Sequence, residues 1–229
     1  MRLLWAVLQV VLPMPLKRRI GGWFFGWDVH PTAHVGRSII QVDRLVMGPG
    51  SSIGAFNMVR GLEELRLDEG ASIATRNLIT GFPQGSDYFA ASPNRRSVLH
   101  LKRHSMVTIG HSIDCADRVE LGEYSAIAGY RCAILTHSLD LARDRFVATP
   151  VVIGDRSAVM SGCTLLNGTT VPSRAIVSAG SVVTTKLSAE LTFYRGNPAE
   201  PVRALPERLR YFRRGLVEAT PADLGDAVR

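Results

Sequence analysis

Aliphatic residues recur at every sixth position in the C-terminal half of the chain. From Ile153 the sequence reads IGDRSA, VMSGCT, LLNGTT, VPSRAI, VSAGSV and VTTKLS, and the fifth residue of each unit is small in all but the last. A helical period of 3.6 residues would not keep one phase over this distance. The pattern therefore predicts coils of short strands, in which the aliphatic and the small residue point inward and stack on the next coil.

The same spacing extends towards the N-terminus with interruptions. It begins near Val29, and its register slips near residues 41–46 and 60–66. Residues 80–98 and 139–149 fit no repeat, so we expect two inserted loops there. Loops on a repeat scaffold commonly carry function.

The two ends of the chain differ from the repeat, which we assign to residues 28–200. Residues 1–27 combine an apolar stretch with KRR and GGWFFGW. The apolar stretch is too short to span a membrane, so we expect this segment either to lie at a membrane interface or to pack on the protein or a neighbouring subunit. Residues 201–229 predict an amphipathic α-helix and a tail, with these apolar residues at helical spacing: Leu205, Leu209, Phe212 and Leu216.

Charge and cysteine content narrow the possible partners. The net charge is +7, but no nucleic-acid-binding motif accompanies the basic residues, so nucleic acid is not an expected partner. Cys115, Cys132 and Cys163 are odd in number and lack CxxC spacing. We expect them to be buried thiols of a cytoplasmic protein rather than part of a disulfide framework or a zinc site.

Two similar segments, GHSIDC at 110–115 and THSLDL at 136–141, carry a histidine and an aspartate each. Inward positions at 109, 115, 121, 127 and 134 would put the two segments on different corners, one coil apart. The step from Ile127 to Ile134 is one residue too long, which predicts a bulge just before His137. His137 itself is expected on an outward corner that is followed by the second loop.

The segment IGDRSAVMSGCTLLNGTTVPSRAIVSAGSVVTTKL, followed by YRGNPAEPVR, resembles the left-handed β-helix hexapeptide acyltransferases. That family includes maltose, galactoside and surface-polysaccharide O-acetyltransferases. The resemblance covers roughly residues 28–204 and is strongest over 119–200. It implies an all-β left-handed parallel β-helix, a homotrimer with active sites between subunits, and acetyl-CoA as the acyl donor. The implied acceptor is a sugar hydroxyl of a surface polysaccharide or of a lipid-linked glycan precursor. Because of the apolar N-terminus and KRR, we expect that acceptor at the cytoplasmic face of the membrane.

Acyl transfer from a thioester to a hydroxyl needs a base, and histidine suits this task near neutral pH. The family places its catalytic histidine in a similar Thr-His segment before a loop, which makes His137 the lead candidate. Asp140 could orient His137 or bind the acceptor, or it could simply cap local amides. His111 and Asp114 are expected to reach the site only from a neighbouring subunit.

The resemblance also implies the binding residues. Coenzyme A is expected along small residues of the last coils and the loop that follows them: Ser161, Gly162, Ala179, Gly180, Gly196, Asn197, Pro198 and Ala199. Its phosphates could be bound by Lys186, Arg195 and Arg203. The first insertion offers four polar candidates for the acceptor: Asp87, Tyr88, Asn94 and Arg95.

Three other functions remain open on the sequence. One is a small-molecule transferase that acts on serine or an amino sugar, and another is a noncatalytic β-helix scaffold. The third is a zinc enzyme like the carbonic anhydrases of this fold, which needs three converging histidines. The spacing of His100, His104 and His111 does not match that pattern, so no metal is expected.

Overall fold

The chain folds as a three-sided column of short parallel strands. The computed structural model describes residues 2–215 of the 229. Successive coils contribute one strand to each of three parallel sheets, which we name face 1, face 2 and face 3 in the order the chain visits them. Corners 1–2, 2–3 and 3–1 are the turns between these faces.

The strands are numbered along the chain. Face 1 contains β1 (Trp27–Val29), β4 (Arg44–Met47), β7 (Glu64–Leu67), β10 (Val98–Leu101), β13 (Val119–Leu121), β18 (Val151–Ile153) and β21 (Thr170–Val171). Face 2 contains β2 (His34–Val35), β5 (Ser52–Ile53), β8 (Ser72–Ile73), β11 (Met106–Ile109), β14 (Ala126–Tyr130), β19 (Ala158–Val159), β22 (Ile176–Val177), β24 (Thr192–Arg195) and β25 (Glu200–Ala204). Face 3 contains β3 (Ile39–Gln41), β6 (Met58–Arg60), β9 (Leu78–Gly81), β12 (Ser112–Cys115), β15 (Ala133–Ile134), β20 (Thr164–Leu165) and β23 (Val182–Val183).

The core is a stack of the predicted inward residues. On face 3, for example, Ile79, Ile113 and Ile134 lie on one another in register, and all three are fully buried. Each coil can bury its apolar side only against its neighbours, so the stack itself supplies the core. The three cysteines are free thiols buried in this stack, as predicted.

The inward register predicted near residue 109 is wrong by two residues. Ile109 is 48% exposed, and Val107 and Ile113 take the inward places. The extra residue before Ile134 also lies elsewhere than expected. The pairing of β11 with β14 becomes irregular where Ile109 lies opposite Tyr130, so the bulge is at corner 2–3 and not beside His137.

Two helices cover the open end of the first coil. Helix α1 spans Arg2–Val11 and α2 spans Met14–Phe24, with Pro15 in its first turn. Gln9 pairs with the backbone of Ile40 through both amide atoms, and the Lys17 ammonium donates to the carbonyls of Val35 and Gly36. These side chains satisfy backbone groups that no earlier coil is there to pair with. Packing on the protein, one of the two expectations for this segment, is therefore confirmed.

The predicted C-terminal helix is absent from residues 201–215. Instead, β25 pairs antiparallel with β24, and a 3-10 turn at Arg210–Arg213 follows. Leu205 and Phe212 are buried against the column. Leu216 and the rest of the tail lie outside the described residues. Among residues 2–215 no helix has the length and apolarity to span a membrane.

Both predicted insertions emerge at corner 3–1. The first connects β9 to β10 and contains a 3-10 turn at Asp87–Phe89. The second is an antiparallel hairpin of β16 (His137–Asp140) and β17 (Arg145–Ala148), rather than an irregular loop. The sequence did not predict that the two insertions share one corner and pack on each other there.

Candidate active site

A histidine and an aspartate from neighbouring coils meet at corner 3–1. His137 Nδ1 lies 2.7 Å from Asp114 Oδ2. Asp114 follows Ile113 on β12, and Ile113 stacks directly on Ile134 of β15, three residues before His137. Strand register alone therefore brings the two side chains together. Asp114 belongs to the same chain as His137, so the expectation that it acts only from a neighbouring subunit is wrong.

The Asp114 carboxylate is held in place by backbone and side-chain donors. Oδ2 accepts from the Thr136 amide at 3.0 Å, and Oδ1 accepts from the Ala116 amide at 3.2 Å. The carboxylate is acceptor-only, so it fixes the neutral His137 ring with its proton on Nδ1 and the lone pair on Nε2. A histidine in this tautomer can take a proton through Nε2 while the aspartate stabilises the resulting imidazolium.

Aromatic side chains from the first insertion flank the His137 ring. Phe82 and Phe89 contact it edge-to-face, with ring centroids 5.7 and 5.6 Å away. Phe89 is buried in a small cluster with Ala116 and Ala148, separate from the core of the column. The His137 side chain nevertheless keeps 32% of its surface exposed. The ring is thus fixed on its sides and open to a ligand.

Arg95 anchors the first insertion and does not face solvent. Its guanidinium donates to the carbonyls of Phe82, Pro83 and Ala116, and it stacks on the Phe89 ring at 4.8 Å. The residue is buried, so its predicted contact with an acceptor is wrong. A buried arginine that is satisfied by carbonyls has no sequence signature that separates it from an exposed binding residue.

Asp140 has local partners. Its carboxylate accepts from the amides of Ala142 and Arg143 and pairs with the Arg143 guanidinium at 3.1 Å. Arg143 and these amides hold the pKa of Asp140 below its ordinary value. Asp114, and not Asp140, orients His137. The alternative expectation for Asp140, a turn carboxylate that caps local amides, is confirmed.

His111 lies inside the column at corner 2–3 and is 1% exposed. Its Nδ1 accepts from the Cys132 amide at 3.1 Å, and its Nε2 donates to the Thr108 hydroxyl at 3.0 Å. Burial lowers the pKa of His111 to about 4. A neutral, fully bonded ring in this position cannot reach a neighbouring subunit, so the predicted catalytic role of His111 is wrong.

The remaining acceptor candidates lie on the outer side of the first insertion. Asp87, Tyr88 and Asn94 are all exposed. The Tyr88 ring contacts Phe146 of the hairpin edge-to-face at 5.8 Å. Tyr88 and Phe146 therefore form an exposed aromatic rim where the two insertions meet.

The residues expected to hold coenzyme A line a different corner from His137. Ser161 and Gly162 turn between β19 and β20 at corner 2–3, and Ala179 and Gly180 turn one coil above them. The Gly180 amide donates to the Ser161 carbonyl at 2.9 Å, which continues the coil stacking. An added Cβ at Gly180 would meet no heavy atom within 4 Å, so this part of the corner is open.

The loop expected near the adenine closes the top of the same corner. The Val182 amide donates to the Gly196 carbonyl at 2.9 Å, and the Ala199 amide donates to the Val182 carbonyl at 2.7 Å. Asn197 and Pro198 are exposed at its tip. The candidate cations surround this end of the column, and all three are exposed: Lys186, Arg195 and Arg203. Arg203 stacks on the Phe193 ring at 5.4 Å.

The histidines considered for zinc point to separate places. His100 on face 1 pairs with Asp68 at 2.8 Å, His104 stacks on Tyr124 at corner 1–2, and His111 is buried at corner 2–3. Within residues 2–215 no three His, Cys, Asp or Glu side chains are arranged to hold a metal ion.

Comparison with known proteins identifies structural neighbours alone. No family model matches the chain, and no curated protein matches it. The polysialic acid O-acetyltransferase OatWY is 15% identical and matches 78% of this chain and 84% of its own, with a TM-score of 0.56. The hexapeptide-repeat acetyltransferase VCA0836 from Vibrio cholerae is 16% identical over 87% of this chain and 86% of its own, with a TM-score of 0.45. A galactoside acetyltransferase solved with coenzyme A is 17% identical over 48% of this chain and 56% of its own, with a TM-score of 0.44.

These identities are too low to carry a function from one protein to another. The match to OatWY, with a TM-score above 0.5, does agree with the parallel three-sided coil of this chain. The chain has the left-handed parallel β-helix fold, and the structural neighbours named above are acetyltransferases.

Proposed function

We propose that this protein is an acyl-CoA-dependent O-acyltransferase, with acetyl-CoA as donor and a sugar hydroxyl as acceptor. The observation that carries the proposal is the His137–Asp114 pair, in which the aspartate orients a histidine side chain that keeps 32% of its surface exposed between two insertions. His137 takes the proton of the acceptor hydroxyl as its oxygen attacks the thioester carbonyl. The C–S bond then breaks, and His137 returns the proton to the departing sulfur. The Asp114 carboxylate stabilises the charged ring.

The position of the two candidate surfaces favours a site shared between subunits. His137 projects from corner 3–1, whereas the open small-residue surface of Gly162 and Gly180 lies on corner 2–3. Corner 1–2 is covered by the chain's own C-terminal segment, since the Tyr211 hydroxyl donates to the Ser157 carbonyl and Arg174 pairs with Glu207. The two corners that the C-terminal segment leaves free suit a closed homotrimer, in which each contact joins two different surfaces.

An acceptor sugar suits the rim beside His137. Tyr88 and Phe146 expose aromatic rings, and Asp87 and Asn94 lie nearby in sequence with polar groups that could bond to hydroxyls. Such rings pack on the apolar faces of sugars while polar groups fix their orientation. This aromatic rim is our reason for favouring a glycan over serine or a free amino sugar, and the polysialic acid O-acetyltransferase OatWY shares only the fold. We extend the proposal to a lipid-linked glycan precursor at the cytoplasmic membrane face.

The first experiment measures release of the coenzyme A thiol with a panel of monosaccharides, oligosaccharides and serine. We expect turnover with a sugar acceptor, and a fall in kcat of about 10²–10⁴-fold in His137→Ala, because general base catalysis is lost. Asp114→Asn should also lower kcat strongly, since an amide no longer stabilises the imidazolium. Asp140→Asn is the matched control and should stay close to the unaltered protein.

Several results would contradict the proposal. A preference for serine would favour a small-molecule transferase of the same fold. Full activity in His137→Ala would show that His137 is not the general base. Absence of acetyl-CoA binding would favour a noncatalytic scaffold. Mass spectrometry of native glycans from cells with and without the protein would identify the acceptor as the glycan that loses an acyl mass.

A further inference from the structure

The N-terminal helices have an inner face that packs on the column. Trp5 of α1 is buried against Phe25 and Trp27, with ring centroids 4.8 and 5.4 Å away. One turn further along α1, Gln9 bonds to the backbone of the first coil, and Lys17 of α2 does the same. This face is fully occupied by the chain itself.

The opposite faces of the same helices are apolar and uncovered. Val7 and Val11 lie half a turn around α1 from Trp5 and Gln9, and Val11 is 75% exposed. Leu16 and Trp23 lie on the outer side of α2, where Trp23 is 66% exposed. The full outer set is Val7, Leu8, Val11, Leu16, Trp23 and Phe24. So many large apolar side chains at one end of the molecule indicate an interaction surface.

The charge of residues 1–27 identifies the kind of partner. No residue from 1 to 27 is acidic. Of the KRR segment, Lys17 is buried in the cap, while Arg19 is exposed and stacks on the Trp23 ring at 4.5 Å. Arg18 is partly exposed, with one long bond of 3.4 Å to the Pro31 carbonyl. Two arginines beside exposed tryptophan and phenylalanine match a surface of anionic headgroups above acyl chains.

We propose that the outer face of α1 and α2 docks on an anionic phospholipid bilayer, lying in the interface without crossing it. The inner faces of the two helices pack on the column, and their outer faces contact lipid. Lys17 holds the helices on the column, so the column and its site are fixed relative to the membrane.

The coil count gives the height of the site above that membrane. On face 3, the strands from the cap to the site are β3, β6, β9, β12 and β15. Four strand spacings of about 4.8 Å put His137 roughly 20 Å above the capped end. If the proposed function is right, the acylated sugar would lie several units away from the lipid of its carrier. The docking surface itself does not depend on catalysis.

The test is co-sedimentation of the full chain with phosphatidylcholine vesicles and with vesicles of three parts phosphatidylcholine to one part phosphatidylglycerol. We expect binding to the anionic vesicles and weaker binding to the neutral ones. Trp23→Ser with Phe24→Ser should lower affinity for both at least tenfold. Arg18→Gln with Arg19→Gln should lower affinity for the anionic vesicles alone, by about tenfold or more. Val202→Ser, an exposed apolar position on β25, is the matched control and should bind unchanged.

Circular dichroism of each variant checks that the column is intact. Inactive His137→Ala should bind vesicles like the unaltered protein, which separates failure of docking from failure of the proposed chemistry. Absence of binding to anionic vesicles, or unchanged binding by the Trp23 and Phe24 variant, would overturn the proposal. The proposal would also be overturned if light scattering gave a smaller molar mass for that variant while its vesicle binding stayed unchanged. The surface would then join two copies of the chain end to end.

Discussion

His111 and His137 share a His-Ser-aliphatic-Asp pattern but have opposite surroundings. His111 continues an internal ladder in which each side chain bonds to the backbone of the next coil. Asn57 Oδ1 accepts from the Asn77 amide at 3.0 Å, and Asn77 Oδ1 accepts from the His111 amide at 2.9 Å. His137 instead follows the face 3 strand β15 and begins the hairpin strand β16, outside the column. The sequence pattern is the same, but the face 3 strand comes after His111 and before His137.

The buried ring of His111 should make stability depend on pH. Its folded pKa of about 4 lies below the ordinary value of 6.5, so only the unfolded chain binds a proton between these values. The contribution of the neutral His111 ring to the free energy of unfolding is therefore complete above pH 6.5 and is lost as pH falls towards 4. Between pH 7.5 and 5 the loss is on the order of 2 kcal/mol in free energy of unfolding.

Urea unfolding at both pH values measures this contribution. His111→Asn suits the comparison, because asparagine already fills the two preceding places of the ladder and does not titrate. The unaltered protein should lose more stability than the variant by the stated amount, and the variant should keep its acyltransferase activity. Equal losses in both proteins would contradict a buried neutral His111.

The sequence predicted His137 but not its true partner. His137 could be predicted because an outward corner histidine before an insertion breaks a regular repeat. An inward register that includes Ile109 separates Asp114 from His137, but Ile109 is exposed and Val107 is the inward residue. With Ile113 and Ile134 paired, Asp114 falls beside His137 without further information.

At the scale of elements, the first insertion forms one wall of the site and is held in place by Arg95. Its guanidinium bonds to carbonyls on the insertion and on the Ala116 corner, and so fixes Phe82 and Phe89 against His137. The β16–β17 hairpin bonds to the same insertion, since the Ala148 amide donates to the Ser92 hydroxyl at 2.9 Å.

Arg95→Met should therefore act through the position of His137. We expect kcat to fall at least tenfold with little change in the KM for the acceptor, because small displacements of a catalytic group are costly. Steady-state kinetics with varied acceptor measure both constants. Arg96→Met is the neighbouring control, since Arg96 is exposed and pairs with Glu63. A change in KM alone would instead mean that Arg95 contacts the acceptor.

The elements that sequence predicted well are those with a local pattern. Inward aliphatics every six residues specify the coils, and the same pattern shows where insertions begin. Over residues 201–215 the predicted C-terminal helix is replaced by a strand and a 3-10 turn, because helical spacing of apolar residues does not decide the structure there. Residues 200–204 complete the exposed edge of β24 as a strand, and Pro201 and Pro206 lie where a helix would need backbone donors. Docking of the insertions depends on contacts between distant residues, which no local pattern encodes.

For the whole molecule, the three corners have separate roles. Corner 1–2 carries the C-terminal segment, corner 2–3 carries the open small-residue surface, and corner 3–1 carries His137. The capped end faces the proposed membrane. In a trimer with parallel columns, all three caps would lie on one side, and each corner 3–1 would meet the corner 2–3 of the next copy.

The most direct test of this shared site is acetyl transfer by mixed assemblies of two inactive variants. His137→Ala removes the base, and Ala179→Trp fills the open surface of corner 2–3. Unfolding the two proteins together and refolding them at equal amounts should restore about a quarter of the sites, since a site then needs one intact surface from each of two neighbours. Each variant refolded alone should stay inactive. A mixture with no more activity than its separate components would contradict an active site formed between copies.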